Sequence, residues 1–295
     1  MPIIPEELFK TIRRIQIQTA HLADDVLAGA YRSAFKGQGM EFEEVREFQT
    51  GDEVRNIDWH KTANKGFPYV KKFREERDLV VMLVVDISSS SRFGSTDHVK
   101  SDLITEIAAT LAFSAIKNND KVGLLLFADQ VELFLSPKKG TRHVLRLIRE
   151  LLVTPQLNKK TNLNAALAYL DKVQRRRCVC FIISDFICND DFNRVLTLLS
   201  KEHDVIAMSV TDPYEAVFPA IKLAHLQDLE SGKSLVVDTS SPLAQKKYRE
   251  AAEKRLSDLK KMMGKLGGGF VDIRTNQHYL ETLKKFFKGR ARRRR

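Results

Sequence analysis

The fold of this chain is decided by residues 79–95, LVVMLVVDISSSSRFGS. A continuous apolar run ends at Asp86 and is followed by serines at positions 88–91. Such a run is typical of a strand that is buried on both faces of a parallel sheet. Residues 178–185, CVCFIISD, repeat the pattern of an apolar run that ends in an aspartate. The sequence therefore predicts two buried strands with oxygen-bearing side chains at their carboxyl ends.

Apolar runs and helical patterns alternate over residues 79–275. One example is the run KVGLLLF (121–127); another is the helical pattern TNLNAALAYLDKVQRR (161–176), with Thr161 in the capping position. The alternation predicts an α/β fold: a doubly wound, mostly parallel sheet with helices on both faces. We expect three parts: a helical and polar N-terminal appendage (1–78, helical over 5–31), the α/β domain (79–288) and a basic C-terminal tail (289–295).

The charge of the chain is concentrated at its C-terminal end. Its formal net charge is +11, and the last twelve residues, KKFFKGRARRRR, contain eight bases and no acid. Removing these eight charges leaves +3 for the other 283 residues. We therefore expect a solvated tail, and nucleic-acid binding through that tail is an alternative function.

Composition indicates a cytoplasmic protein. No apolar stretch reaches the roughly 18 residues of a membrane span, and the N-terminus lacks an apolar signal core. The three cysteines have no metal-ligand spacing, which fits reduced thiols.

Oxygen-bearing side chains are predicted to meet at one edge of the sheet. Asp86, Ser88 and Ser90 follow the first strand, Thr161 precedes a helix, and Asp185 follows another strand. In doubly wound sheets, ligands bind beyond the carboxyl ends of the strands. Two carboxylates and three hydroxyls suit a hard cation, Mg²⁺ or Mn²⁺, with one position left for water or for a carboxylate of another molecule. The alternative is a turn with capping serines.

The pattern D-x-S-x-S, a later threonine and a later strand-end aspartate resembles the metal-ion-dependent adhesion site of von Willebrand factor A domains. This resemblance implies that hydroxyls bind the ion directly, that aspartates bind it directly or through water, and that an acidic side chain of a partner completes the shell. The segments YRSAFKGQGMEFEEVREFQTGDEVRNIDWHKTANKGFPYVKKFREERD, DISSSSRFGS, NNDKVGLLLFAD, KKGTRHVLRLIREL and SDF resemble the bacterial domain-of-unknown-function 58 family. That resemblance implies a partner of MoxR-type AAA+ ATPases, or a binder of their clients, in the assembly or maturation of other proteins.

Three positions depart from these patterns. Ser91 stands where many relatives carry methionine, Lys160 where A domains commonly have glycine, and Asn162 where aspartate is common. We expect the ammonium group of Lys160 to repel the cation or to pair with a bridging carboxylate.

A second candidate group lies in GDEVRNIDWH, residues 51–60. Asp52, Arg55, Asp58 and Trp59 are predicted to form a buried ion-pair network that holds the appendage on the core. The alternative is a docking surface for a partner.

The sequence gives little support for catalysis. It has no G-x-S-x-G, G-x-x-x-x-G-K-[ST] or G-x-G-x-x-G motif. A Mg²⁺-dependent phosphatase of the haloacid-dehalogenase type would need a second aspartate where Ser88 stands, so phosphoryl transfer is only an alternative. We predict a non-enzymatic, metal-dependent protein-binding module.

Overall fold

A computed structural model describes most of the chain. The described residues are 13, 25–35, 40–75, 79–95, 99–154, 159–188, 190–217, 219, 221–227, 232 and 234–293. Most of the helical segment predicted over 5–31 lies outside them, and its end forms α1 (Asp25–Phe35).

A six-stranded sheet forms the centre of the protein. Its order is β10-β7-β6-β3-β4-β5, and only β5 runs antiparallel to its neighbour. The strands are β3 (Val80–Asp86), β4 (Lys121–Phe127), β5 (Val131–Lys138), β6 (Val179–Ser184), β7 (Asp204–Thr211) and β10 (Gly269–Arg274). Every residue of β3, β6 and β7 is buried, as expected for strands that are covered on both faces.

Helices cover both faces of this sheet. They are α3 (Lys100–Lys117), α4 (Thr141–Val153), α5 (Leu163–Val173), α6 (Asn193–Glu202), α7 (Pro213–Ala216), α8 (Pro242–Lys265) and α9 (Tyr279–Arg293). On one face, α5, α6 and α8 bury side chains against alternate residues of β3, β6 and β7. On the other face, Phe181 of β6 meets Phe287 of α9 with ring centroids 6.5 Å apart. The predicted doubly wound α/β fold is confirmed.

The strand order fixes where a ligand would bind. Numbered along the chain, the six strands lie in the order 3-2-1-4-5-6, so strands 2 and 3 lie on one side of the first strand and strands 4 to 6 on the other. The switch point lies between the first and fourth strands. Those strands are β3 and β6, which pair in parallel. A crevice at such a switch point is the usual ligand site of open α/β sheets. Because β3 and β6 pair, Asp86 and Asp185 at their carboxyl ends are neighbours across the crevice.

The chain divides into two compact units. One contains Met1–Ala34 and Val80–Arg295, and the other is Phe35–Leu79. The smaller unit pairs β1 (Met40–Glu47) with β2 (Tyr69–Glu75) and contains a 3₁₀ turn (Val54–Asn56) and α2 (Trp59–Lys65). In the larger unit, Tyr31 of α1 is buried and its ring stands edge-on to Phe287, with centroids 5.8 Å apart. The predicted boundary at residues 78/79 stays a prediction.

The C-terminal part of the chain contains a hairpin and a long helix. The hairpin pairs β8 (Leu223–Gln227) with β9 (Ser234–Asp238) in antiparallel orientation. Helix α9 continues to Arg293, into the segment predicted as a solvated tail. It does so because buried Leu283 and Phe287 continue its apolar stripe and the Arg290 guanidinium pairs with the buried carboxylate of Asp204.

Candidate metal centre

The serine run after β3 divides into two pairs with different roles. Ser89 and Ser91 serve the backbone: their hydroxyls donate to the carbonyls of Lys159 (3.1 Å) and Ser88 (2.7 Å). Ser88 and Ser90 turn the other way, and their Oγ atoms lie 3.0 Å apart. The loop is tied to Asp86, whose Oδ1 accepts from the Ser88 amide at 2.9 Å. Ser89 and Ser91 therefore stabilise the loop, whereas Ser88 and Ser90 are available to a binding site.

Thr161 brings a third hydroxyl to this pair. Its Oγ1 donates to Ser88 Oγ at 2.8 Å, across 73 residues of chain. The prediction that Thr161 caps α5 is wrong. The cap is Asn162, whose side chain accepts from the Ala165 amide at 2.9 Å because it directly precedes the first helical residue. Asn162 thus caps the helix, while its neighbour Thr161 hydrogen-bonds to Ser88.

The end of β6 contributes from the other side of the switch point. Ser184 Oγ donates to Asp86 Oδ2 at 2.6 Å and accepts from the Phe186 amide at 3.0 Å. Asp185 Oδ1 accepts from the Ile187 amide at 2.9 Å. Phe186 has a φ of +55°, which bulky residues rarely adopt, and it turns the chain sharply after Asp185. Ser184 thus ties the end of β6 to the aspartate of β3.

A buried lysine that sequence reasoning missed completes the cluster. Lys100, the first residue of α3, is 0% exposed. Its Nζ donates to Asp185 Oδ2 at 2.7 Å and to Glu215 Oε1 at 2.6 Å. Lys160 is exposed, and the expectation that its ammonium group repels the cation or pairs with a bridging carboxylate stays a prediction. A signal was present, since Lys100 lies on the apolar stripe that continues through Leu103 and Ile107.

A sequence model of the family described as "Protein of unknown function DUF58" matches residues 44–257. The chain belongs to the DUF58 family. One relative by sequence is the uncharacterized protein Rv1480 of Mycobacterium tuberculosis. It is 29% identical over 290 residues, which cover 97% of this chain and 90% of that protein.

Solved structures resemble this DUF58 chain in fold. An aerotolerance-related membrane protein from Bacteroides fragilis aligns with a TM-score of 0.50 and 17% identity, covering 73% of this chain and 99% of that one. The VWA domain of SpRpn10 aligns with a TM-score of 0.38 and 13% identity, covering 70% of this chain and 93% of that one. The strand order and the similarity to the Bacteroides fragilis protein confirm the predicted α/β fold class.

The charges of the cluster do not balance. Asp86, Asp185 and Glu215 bring three carboxylates, and Lys100 brings one ammonium group. Burial, together with the charge of Asp185, raises the pKa of Asp86 to about 6. Burial would lower the pKa of Lys100, but the charges of Asp185 and Glu215 outweigh it and raise that pKa. Fully ionised, these four groups carry a net charge of −2, which one divalent cation would neutralise.

The spacing of the oxygen atoms also fits a small hard cation. In an octahedral shell with metal–oxygen bonds of about 2.0–2.1 Å, adjacent ligand atoms lie about 2.9 Å apart. The two measured hydroxyl separations, 3.0 Å for Ser88–Ser90 and 2.8 Å for Thr161–Ser88, are close to that value. Among the described residues, no group of three or more His, Cys, Asp or Glu side chains is arranged to hold a metal. A metal here would therefore depend on hydroxyl ligands.

The second candidate group does not form the predicted network. Asp52 accepts from Arg46 at 2.7 Å and 2.9 Å, and Asp58 caps α2 by accepting from the Lys61 amide at 3.1 Å. The side chain of Arg55 is 82% exposed and pairs with Glu53 at 3.1 Å. Trp59 is 67% exposed. The prediction of a buried ion-pair network is wrong, since each acid has a nearer local partner. A docking role for these residues stays a prediction.

The sequence predicts no membrane-spanning segment. Among the helices of the described residues, none combines the length and the apolar character that crossing a membrane requires.

Proposed function

We propose that this protein is a divalent-metal-dependent protein-binding module. Mg²⁺, or Mn²⁺ in its place, would be held by Asp86, Ser88, Ser90, Thr161 and Asp185. The observation that carries the proposal is the three-hydroxyl cluster at the switch point of the sheet, beside carboxylates with two uncompensated negative charges.

The residues of the cluster favour a cation that still attracts anions. A bound divalent ion would supply a Lewis-acidic position for a carboxylate from another molecule. Ser88, Ser90 and Thr161 are neutral ligands, so they orient a cation without cancelling its charge. Ser184 and the Ser88 amide hold the two oxygens of Asp86 in place. Lys100 offsets one carboxylate charge and so limits the total negative charge around a cation.

The same contacts argue against a hydrolytic or phosphoryl-transfer role. A serine nucleophile needs a base that can take its proton. Lys100 is protonated, because two carboxylates raise its pKa, and its ammonium group donates to both of them. The hydroxyls of Ser89 and Ser91 are occupied by backbone carbonyls. We therefore propose binding rather than catalysis.

The proposed partner is a protein with an acidic side chain at its contact surface, either a MoxR-type AAA+ ATPase or its client. This is the class of partner that the resemblance to the domain-of-unknown-function 58 family implies. An ATP-driven partner would place the encounter in the cytoplasm.

A capture experiment with two neighbouring serine variants tests the function. Tagged protein would be incubated with lysate of the native organism in Mg²⁺ or EDTA, and the eluates identified by mass spectrometry. We expect a partner that is retained in Mg²⁺, lost in EDTA and lost with Ser90→Ala. The matched control is Ser89→Ala, whose hydroxyl faces the Lys159 carbonyl and which should keep the partner.

Two outcomes would contradict the proposal. One is a partner retained equally in Mg²⁺ and EDTA. The other is binding of nucleic acid that falls steeply between about 50 and 200 mM salt, which would favour the basic C-terminal segment instead.

A further inference from the structure

Lys100 is a fully buried lysine whose charge is placed directly against the candidate metal centre. Its ammonium group donates to Asp185, one of the five proposed ligands, and to Glu215 at the start of α7. Glu215 is itself fixed, because its other oxygen accepts from the Asp212 amide at 3.0 Å within a capping box. The position of Lys100 is therefore set by two anchored carboxylates and by the burial of the helix that carries it.

We propose that Lys100 determines how strongly the site binds a divalent cation, and that it keeps the metal-free protein folded. This inference rests on the proposed function, since it concerns the same site. No other basic side chain of the described residues makes an ion pair with Asp185 or Glu215.

In the metal-free protein, Lys100 offsets the repulsion between the carboxylates of the cluster. Asp86 and Asp185 are buried and Glu215 is partly buried, so the three carboxylates repel one another and lose hydration. Lys100 neutralises one of these charges and donates a hydrogen bond to two of the carboxylates. Without it, the metal-free cluster would hold three negative charges and no cation. The lysine thus allows the site to exist without metal.

In the metal-loaded protein, Lys100 would oppose the bound cation. A cation that approaches Asp185 meets the positive charge of Lys100, which is 2.7 Å from Asp185 Oδ2. In a buried setting this repulsion is only weakly screened. Lys100 therefore weakens metal binding, while Glu215 partly compensates by accepting from the same ammonium group. The combination favours a site that exchanges its cation reversibly instead of holding it permanently.

A charge series tests the inference with Mn²⁺ as the probe. Free Mn²⁺ would be counted by electron paramagnetic resonance during titration of four full-length proteins: wild type, Lys100→Gln, Glu215→Gln and the double variant. Lys100→Gln makes the cluster more negative, so its affinity for Mn²⁺ should rise at least tenfold. Glu215→Gln makes it less negative, so its affinity should fall by a similar factor. The double variant restores the wild-type charge and should bind within about threefold of wild type.

Melting in EDTA provides the second readout. Lys100→Gln should have the lowest melting temperature of the four proteins and the largest rise on adding Mn²⁺. If Lys100→Gln does not fold, Glu215→Gln and the double variant still test the order of affinities.

The outcomes separate this inference from the function on which it rests. Equal Mn²⁺ affinity in all folded variants, or weaker binding by Lys100→Gln, would overturn the role of Lys100 and leave the metal site intact. Absence of Mn²⁺ binding in every variant would overturn the metal site itself, and the inference with it.

Discussion

Replacing Asp86 with asparagine should make the metal-free protein more stable and abolish its metal binding. Burial and the charge of Asp185 raise the pKa of Asp86 from 3.8 to about 6. At about 1.4 kcal/mol per pH unit, ionisation of this carboxyl group in the folded protein opposes folding by about 3 kcal/mol. An asparagine has nearly the same shape but never ionises, so the Asp86→Asn variant should avoid this penalty.

The stability difference between Asp86→Asn and the wild type should depend on pH. A carboxyl group whose pKa is raised by folding stabilises the fold only while it is protonated, so its contribution is lost as the pH rises from about 4 to about 6. Asp86→Asn should therefore match the wild type near pH 4 and exceed it by up to about 3 kcal/mol above pH 6. Urea unfolding in EDTA, followed by circular dichroism at both pH values, measures this difference.

A second buried aspartate serves as the control. Burial opposes ionisation of Asp212, but hydrogen bonds from Ser95 and from the Tyr214 amide prevail and lower its pKa. Asp212→Asn should therefore lose stability at neutral pH. The reasoning would be refuted if Asp86→Asn also lost stability near pH 7, or gained the same amount near pH 4.

Four further variants test individual contacts. Thr161→Val should weaken Mn²⁺ binding at least tenfold in calorimetry with little loss of stability. Asn162→Ala should lower the unfolding free energy by about 1 kcal/mol, since Asn162 caps α5. Arg55→Ala should change the melting temperature by less than the measurement error, because the side chain is 82% exposed. Gly123→Ala should lower the unfolding free energy by about 1–3 kcal/mol, since its Cβ would lie 2.5 Å from Met82 Sδ.

For each of these predictions, one result would contradict the reasoning. Equal effects of Thr161→Val and Asn162→Ala on stability would mean that both residues cap the helix. A fall of several degrees with Arg55→Ala would restore the predicted ion-pair network. A neutral Gly123→Ala would show that the sheet can shift to admit a methyl group.

The sheet could be predicted because its signals are local. The apolar runs that end at Asp86 and Asp185 are short, continuous and bounded by polar residues, so strand type and carboxyl end follow from the sequence. Once the order of these strands is assumed, their ends must lie side by side. The meeting of Ser88, Ser90 and Thr161 follows from the same topology, because each lies at the boundary of an element on that edge.

The missed features depend on competition between partners. Lys100 and Asp185 are 85 residues apart, so although the apolar stripe of α3 indicates that Lys100 is buried, nothing local shows which carboxylates it contacts. The network around Arg55 failed for a related reason: Asp52 has a bidentate partner in Arg46, six residues away. Which of several nearby charges wins a pairing is decided by tertiary placement, and composition does not reveal it.

The most direct test of the metal centre is a crystal structure of the protein grown with Mn²⁺, with anomalous diffraction data. Our account predicts a peak within bonding distance of the hydroxyls of Ser88 and Ser90, beside Asp86, that disappears in the Asp86→Asn variant. A map with no peak at this edge of the sheet, or a peak that persists in the variant, would contradict it.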